Sequence, residues 1–423
     1  MKKIISAIIL ATLLLSLLAV GASAAYTAPT IADALTIIKG FLSDSTDLAL
    51  DVNNDGAVNL KDGLHGIKRV LWANDLPAVQ NTQLFGTSTS YDLYTYNYCP
   101  SIMEEDDGTL HVYYCTNKGD HGFYMTYIDY IGYRTGTPNG DGTYTWSNES
   151  IVLSPSASGA WDDKHNCDPS VIKGTFKYND TNYSYLMAYL GCTQGDINDI
   201  GLAVANNPAG PWVKVGTTPL VDYVYNEDSS NNWGVGQPSL VNKGGADSGK
   251  VWFFFTRGDI NGTRTIVCDC DFSDLNNPVV GTETKLENEG LVTLDTGARS
   301  IINNADFAFD DARKVLYASS GCHPFPTSAP NFIAGKTRVT SFRFGGEDIA
   351  EITYGSASKA KWKYLATIDS EDTGFPRNHN SGLVRDEYGH TSGNILTVFY
   401  TVSEELSSYA ERTYRIHSMS VVK

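Results

Sequence analysis

Three short segments share one pattern at one interval: Cys99-Pro100-Ser101-Ile102, Asp168-Pro169-Ser170-Val171 and Gln237-Pro238-Ser239-Leu240. Their first residues lie 69 apart, and a further 69 reaches Asp306-Phe307-Ala308-Phe309. A fifth copy, Asn380-Ser381-Gly382-Leu383, follows 74 residues later. Each copy precedes a second apolar run: LHVYYC, YSYLMAYLGC, KVWFFFT, KVLYASSGC and NILTVFYTV. A third run follows in YIGYRTG and DIGLAVAN, where Gly132 and Gly201 are again 69 apart. Turn-rich stretches such as NNPAGPW (206–212) and DLNNPVV (274–280) separate the runs. A unit of three or four strands is one twisted sheet that cannot cover both of its faces alone, so successive units must pack around an axis. The repeat therefore predicts an all-β fold, a five-bladed β-propeller over residues 92–423, with the first strand of each blade lining the channel. Regular offsets of this kind argue against a β-sandwich.

The 423 residues exceed what five such units need. The first 24, MKKIISAIILATLLLSLLAVGASA, carry a short cationic head, an apolar run from Ile4 to Val20 and small residues at Ala22-Ser23-Ala24. That order reads as a secretory signal peptide, residues 1–24, and predicts an extracellular protein with no membrane span after cleavage. Lys+Arg 31 against Asp+Glu 48 leaves a net charge of −17, which disfavours nucleic acid as a partner. Charged residues make up 19% of the chain, too few for an acidic disordered tail. Seven cysteines in an exported chain permit disulfides but leave at least one unpaired, and their spacing does not fix the pairing.

Residues 51–62 read DVNNDGAVNLKD. Asp51, Asn53, Asp55, Asn59 and Asp62 fall at positions 1, 3, 5, 9 and 12 of a calcium loop, and Ala57 offers its carbonyl at position 7. Gly56 supplies the sharp turn at position 6. Oxygen ligands at this spacing suit Ca2+. Apolar Leu64, Ile67, Val70 and Leu71 then recur at helical spacing. The stretch resembles a type I dockerin, the module that joins an enzyme to a cohesin on a cellulosome scaffold. Leu35, Ile38, Phe41 and Leu42 match the second helix at an offset of 29, so the first helix of the dockerin pair is present but its calcium loop is not. The resemblance covers residues 26–74 and implies a cohesin of a scaffold protein as partner. Residues 75–91 read as a linker.

Equivalent positions of a propeller meet at its axis. The 69-residue alignment puts Cys99, Asp168, Gln237, Asp306 and Asn380 in one ring. The three positions before it bring Tyr98 and His379, then Asn166, Asn304 and Asn378, then His165 and Arg377 to the same mouth. Amides, rings and carboxylates converging there suit a sugar. Asp168 and Asp306 are the candidate acid–base pair for glycosidic hydrolysis, in which one carboxylate activates water and the other donates a proton. Asp162 and Asp163, in the loop before Asp168, are weaker candidates.

With DPSVI at 168–172, IGLAVANNPAGPW at 200–212 and RNHNSGLVRD at 377–386, residues 92–423 resemble the five-bladed glycosidases of the arabinanase, xylosidase and invertase kind, including glycoside hydrolase family 43. The resemblance implies a hydrolase of plant cell-wall polysaccharide or oligosaccharide needing no cofactor for catalysis, with acids on the first three blades. Asp168 matches the second. Cys99 stands at the first, and Gln237 at the third, where Glu227 shortly upstream is the candidate proton donor. A non-catalytic propeller that binds glycans at the same ring is the alternative.

Overall fold

The structure is a computed structural model describing residues 28–77, 80–85, 96–117, 128–193, 197–293, 295–356, 360–406 and 413–423. The expected signal peptide lies outside the described residues, as does part of the expected linker.

Two helices open the described chain, α1 (Ile31–Leu42) and α2 (Leu60–Trp72). Both begin at a reciprocal cap. Thr30 and Asp33 cap the first, and Asn59 and Asp62 the second, at the offset of 29 that relates the helices. Each pair satisfies backbone donors that a helix start leaves open. Ala34, Ile38 and Ile67 form their shared core. No helix among the described residues is long and apolar enough to cross a membrane.

Among the described residues the strands fall into five consecutive antiparallel groups. The first holds β2 (Asn97–Glu104), β3 (Leu110–Thr116) and β4 (Tyr130–Pro138), with β5 (Tyr144–Trp146) and β6 (Ser150–Leu153) both on β4. The second is β7 (His165–Tyr178), β8 (Thr181–Cys192), β9 (Asn198–Ala205) and β10 (Val213–Lys214). The third is β11 (Gly234–Asn242), β12 (Lys250–Asp259), β13 (Gly262–Asp271) and β14 (Thr284–Lys285). The fourth is β15 (Asp306–Asp310), β16 (Val315–Gly321), β17 (Thr337–Arg343) and β18 (Lys363–Ile368). The fifth is β19 (Arg377–Asp386), β20 (Ile395–Ser403) and β21 (Arg415–Val422), and its outer strand is β1 (Thr82–Gln83), from upstream of the first group. Each group's first strand touches that of the next, and β19 pairs in parallel with β2, so the first strands close on themselves.

Apolar clusters fill the spaces between neighbouring groups. In KVWFFFT, Phe253 and Phe255 enter the cluster against group two, while Trp252 and Phe254 enter the one against group four. Covering both faces is why these runs are apolar throughout rather than alternating.

The head of each first strand carries a non-glycine residue at positive φ: Cys99 (53°), Asp168 (46°), Gln237 (50°), Asn304 (51°) and Asn380 (39°). The ladder slips at this point in groups one, two, three and five. Proline follows in groups one to three, where a broken ladder asks for no N–H.

This conformation corrects the alignment in the fourth group. Its equivalent of Cys99, Asp168 and Gln237 is Asn304, 67 residues after Gln237, and not Asp306. Two further contacts agree. The backbone N–H groups of Cys99, Asp168 and Asn304 donate to Thr401, Cys115 and Thr256, each on the second strand of the preceding group. Two residues on, Ser101, Ser170 and Ser239 accept the N–H groups of Val171, Leu240 and Phe307 in the following group. Asp306 does the same for Leu383 at 2.8 Å. Asp306 thus takes the serine position in a chain of hydrogen bonds joining successive sheets. Its other oxygen accepts from Ser239 Oγ at 2.7 Å and pairs with the buried Arg385 at 3.0 Å.

Removing that carboxylate leaves Arg385 buried without its counter-ion. Asp306→Ala is expected to cost about 3 kcal/mol or more, and Ser239→Ala about 1 kcal/mol, in denaturant unfolding of the full chain. Equal small costs for the two would contradict the assignment.

Candidate functional site

The five positive-φ residues, their successors and Asp306 line one pocket on which all five groups converge. Asp168 and Asp306 therefore meet at one opening, but in different states. Both oxygens of Asp306 are engaged as described. Asp168 is buried on the wall beside Cys99 and the Cys115–Cys167 disulfide, which joins β3 to β7. Burial pushes its carboxyl up to about 6, and the negative charge of Asp129 adds to the shift. The Cys99 thiol and the Gln237 N–H, which hydrogen bond to the carboxylate, act in the opposite sense.

Asp129 was not singled out by the sequence. It precedes β4 in a stretch with no periodic signal, yet it is buried. Tyr96 Oη donates to its Oδ1 at 2.5 Å, His165 Nδ1 lies 2.7 Å from Oδ2, and its backbone oxygen accepts from Asn166. Tyr96, Tyr98, Tyr414 and His379 form an arc of rings with successive centroids 5.6, 5.4 and 4.9 Å apart, and two of them, Tyr98 and His379, directly precede the pocket-lining Cys99 and Asn380.

Four buried acceptors at these strand heads have no protein partner among the described residues: Gln237 Oε1, whose residue lines the pocket, and Asn97 Oδ1, Asn378 Oδ1 and His379 Nε2 just behind it. His379 Nδ1 contacts Asn380 Oδ1 at 2.6 Å, and burial lowers its pKa to about 4, so the ring is neutral at physiological pH. With Nδ1–H donating to Asn380, Nε2 holds a bare lone pair.

Other predicted sugar-binding residues are spent on the scaffold. Arg377 is buried and donates to Pro330, Pro376 and Ser328 oxygens, which holds the segment between β16 and β17. Asn166 takes Lys214 Nζ at 2.8 Å and donates to Asp162. Lys214 also sits 2.5 Å from Asp162, and although burial works against it, that ion pair keeps the Asp162 carboxyl below its usual range. Asn378 donates to the Gly335 and Phe375 carbonyls. Asn304 lines the pocket, and Tyr98 Oη reaches Cys167 Sγ at 3.0 Å. Glu227 is exposed between β10 and β11 and does not line the pocket.

Far from this mouth, the carboxylates of Asp51, Asp55 and Asp62 offer oxygens within 4.8 Å of one another. Asp51 accepts the Asp55 and Gly56 N–H groups, and Asp62 accepts those of Asn53 and Asn59. Burial raises the Asp62 pKa, and the neighbouring Asp51 and Asp55 charges add to it. An all-oxygen set with three crowded carboxylates fits a hard divalent cation. Asn59 is committed otherwise: its Oδ1 caps Lys61, and its amide donates to Asp55 and to the Ala57 carbonyl.

No protein-family model matches the chain, and no curated protein matches it. Among solved structures it is similar to a family 117 glycoside hydrolase, Zg3597, from the marine bacterium Zobellia galactanivorans: 12% identity, TM-score 0.52, covering 81% of this chain and 89% of that one. An endo-arabinase from Bacteroides thetaiotaomicron (12% identity, TM-score 0.45, covering 81% and 97%) and a thermostable family-43 glycoside hydrolase (12%, 0.44, 78% and 90%) also match; no argument rests on these two. At 12% identity the likeness is one of fold: the chain is mostly β and similar to propeller-like glycoside hydrolases.

Folding raises the pKa of Asp168, so its protonated form stabilises the fold below about pH 4, and that contribution is lost as pH rises through about 6. Two pKa units correspond to about 3 kcal/mol. Asp168→Asn is expected to abolish this pH dependence, so the variant gains on the wild type between pH 4 and pH 7 in denaturant midpoints. A constant difference across that range would show that the carboxyl is not raised.

Proposed function

We propose that the five groups are the blades of one propeller and that their shared mouth hydrolyses a glycosidic bond of plant cell-wall polysaccharide or oligosaccharide. The observation that carries this reading is a buried carboxyl, Asp168, whose pKa is raised to about 6, on a pocket wall that also holds Gln237 Oε1, an acceptor with no partner among the described residues. A carboxyl that holds its proton so far above the usual range is suited to protonate a departing sugar oxygen. Gln237 Oε1 and His379 Nε2 accept sugar hydroxyls, and the Tyr98–Tyr414 arc takes a ring face. Asp129, oriented by His165 and Tyr96, is the second carboxylate and activates water. Asp306 holds the floor rather than the substrate, and Glu227 belongs to the rim.

Glycan binding without hydrolysis is the second reading. It is favoured by Cys99 and Gln237 standing where the resemblance expects acids. The two separate on purified full chain assayed with arabinosyl, xylosyl, galactosyl and fructosyl substrates. Hydrolysis is expected, with kcat lowered about 10²–10⁴-fold in Asp168→Asn. Binding in calorimetry without product would establish the second reading, and unchanged kcat in Asp168→Asn would remove this residue from the chemistry.

The helical module is proposed to be dockerin-like and to hold Ca2+ through Asp51, Asn53, Asp55, the Ala57 carbonyl and Asp62, with Asn59 serving as helix cap. Leu35 and Leu42 on one helix and Leu64 and Leu71 on the other are exposed at matching positions, which supports a cohesin as partner. Export is supported by the disulfide, which needs an oxidising compartment. Calcium is expected to raise the melting temperature of the full chain, with the gain lost in Asp62→Ala; a melting temperature indifferent to chelator would exclude a bound ion.

A further inference from the structure

Three of the seven cysteines gather on the wall of the axial pocket. Cys115 and Cys167 are bonded and buried, whereas Cys99 is a half-buried free thiol that lines the pocket. Cys99 Sγ, Cys115 Sγ and an Asp168 carboxylate oxygen all lie within 4.8 Å of one another. Asp168 Oδ1 is also 3.3 Å from Cys167 Sγ, so the Asp168 carboxylate stands beside both the free thiol and the far sulfur of the disulfide. Tyr98 Oη, 3.0 Å from Cys167 Sγ, is placed to donate to charge that develops there. The four remaining thiols, at Cys192, Cys268, Cys270 and Cys322, are buried, and none of them lines this pocket.

We propose that Cys99, Cys115, Cys167 and Asp168 form a thiol–disulfide exchange site in which the bond passes from Cys115–Cys167 to Cys99–Cys115. The step needs no outside oxidant. Asp168 takes the Cys99 proton, the Cys99 thiolate attacks Cys115 Sγ, the Cys115–Cys167 bond breaks, and Cys167 leaves as a thiolate that recovers the proton from Asp168. Two sulfurs remain bonded and one thiol remains free, so electrons and protons balance. A carboxylate beside both donor and acceptor shortens the proton's path, and the burial that lets Asp168 hold a proton equips it for the relay. Burial and the Asp168 charge push the Cys99 thiol well up, so its thiolate is scarce and exchange is slow without that base.

The exchange changes what the bond connects. Cys115–Cys167 ties β3 of the first group to β7 of the second, whereas Cys99–Cys115 lies within the first group, across β2 and β3. The first two sheets then lose their covalent tie beside Asp168. Small thiols and disulfides reach the buried pair through Cys99, the member on the pocket. None of this depends on glycoside hydrolysis, so it stands or falls separately from the proposed function.

The test is alkylation of the native full chain at pH 8 with isotope-coded iodoacetamide, followed by mass mapping of labelled and crosslinked peptides. Label is expected on Cys167 as well as Cys99, with a Cys99–Cys115 crosslink in matching amount, and Asp168→Asn is expected to slow labelling of Cys167 about tenfold or more. With oxidised glutathione as oxidant, Cys167→Ser is expected to convert fully to the Cys99–Cys115 crosslink. Label confined to Cys99 in the wild type would overturn the proposal even if the serine variant does not fold. A folded Cys167→Ser in which Cys99 and Cys115 both stay open to alkylation would overturn it equally.

Discussion

Five first strands meeting at an axis leave too little room for an uninterrupted ladder at their heads. The chain meets this by turning one residue per group into the left-handed region, at Cys99, Asp168, Gln237, Asn304 and Asn380. For a residue with a Cβ this costs roughly 1–2 kcal/mol. Asn and Asp tolerate the conformation best; Cys and Gln gain no such relief. Cys99 and Gln237 hold it because the surrounding ladder and the N–H to the preceding sheet over-determine it, and the result is that their side chains face the pocket. Strain persisting where a pocket forms is the usual mark of a site that does something.

From that constraint follows the divergence of the two axial acids. Two residues past the turn, the chain is back in the sheet, and a side chain there reaches the next group's N–H. Asp306 sits at that step, meets Leu383, Ser239 and Arg385, and is compensated. Asp168 sits in the turn itself, in apolar surroundings made by sulfur and proline, where no cation among the described residues pairs with it. The same residue type is thus a carboxylate held by an arginine, a serine and a backbone N–H at one position, and a buried carboxyl with a raised pKa two register positions earlier.

The sequence showed the period because Pro and Ser recur where the ladder breaks and where the sheets are stitched. It misled in the fourth group, which has Ala305 after the turn and Asp306 in the serine place, so a fixed interval landed two residues late. The two helices were legible through apolar residues at helical spacing and the offset of 29, whereas the caps that start them, Thr30 with Asp33 and Asn59 with Asp62, carried no separate signal. What stayed hidden was whatever depends on a partner distant in sequence. Arg377 looked available until the carbonyls of Ser328 and Pro330 were seen to hold it. Asp129 carried no signal in the sequence, because its partners Tyr96 and His165 are distant along the chain and His165 belongs to the next group. The Cys115–Cys167 pairing was hidden for the same reason.

The front module shows how one short helix pair divides its surface. Trp72, Ala73, Leu76 and Ala28 pack on the cluster between groups four and five, and Arg313 lies 5.3 Å over the Trp72 ring. Asn54, inside the acidic loop, donates to the Lys361 carbonyl at 2.9 Å, next to β18, and Arg69 approaches the Val422 carbonyl. The Lys363 ammonium, lowered by burial, is held up in part by the charges of Asp51 and Asp62. Loop order is therefore coupled to the outer edge of the fourth sheet, through one hydrogen bond and one charge contact. Leu35, Leu42, Leu64 and Leu71 take no part in this packing and stay exposed. A module serving only as a spacer would have no need to keep four leucines in water, and one serving only as a partner's handle would have no need to bury Trp72. Both features on one pair of helices mean that the exposed leucine face belongs to a body fastened to the sheets.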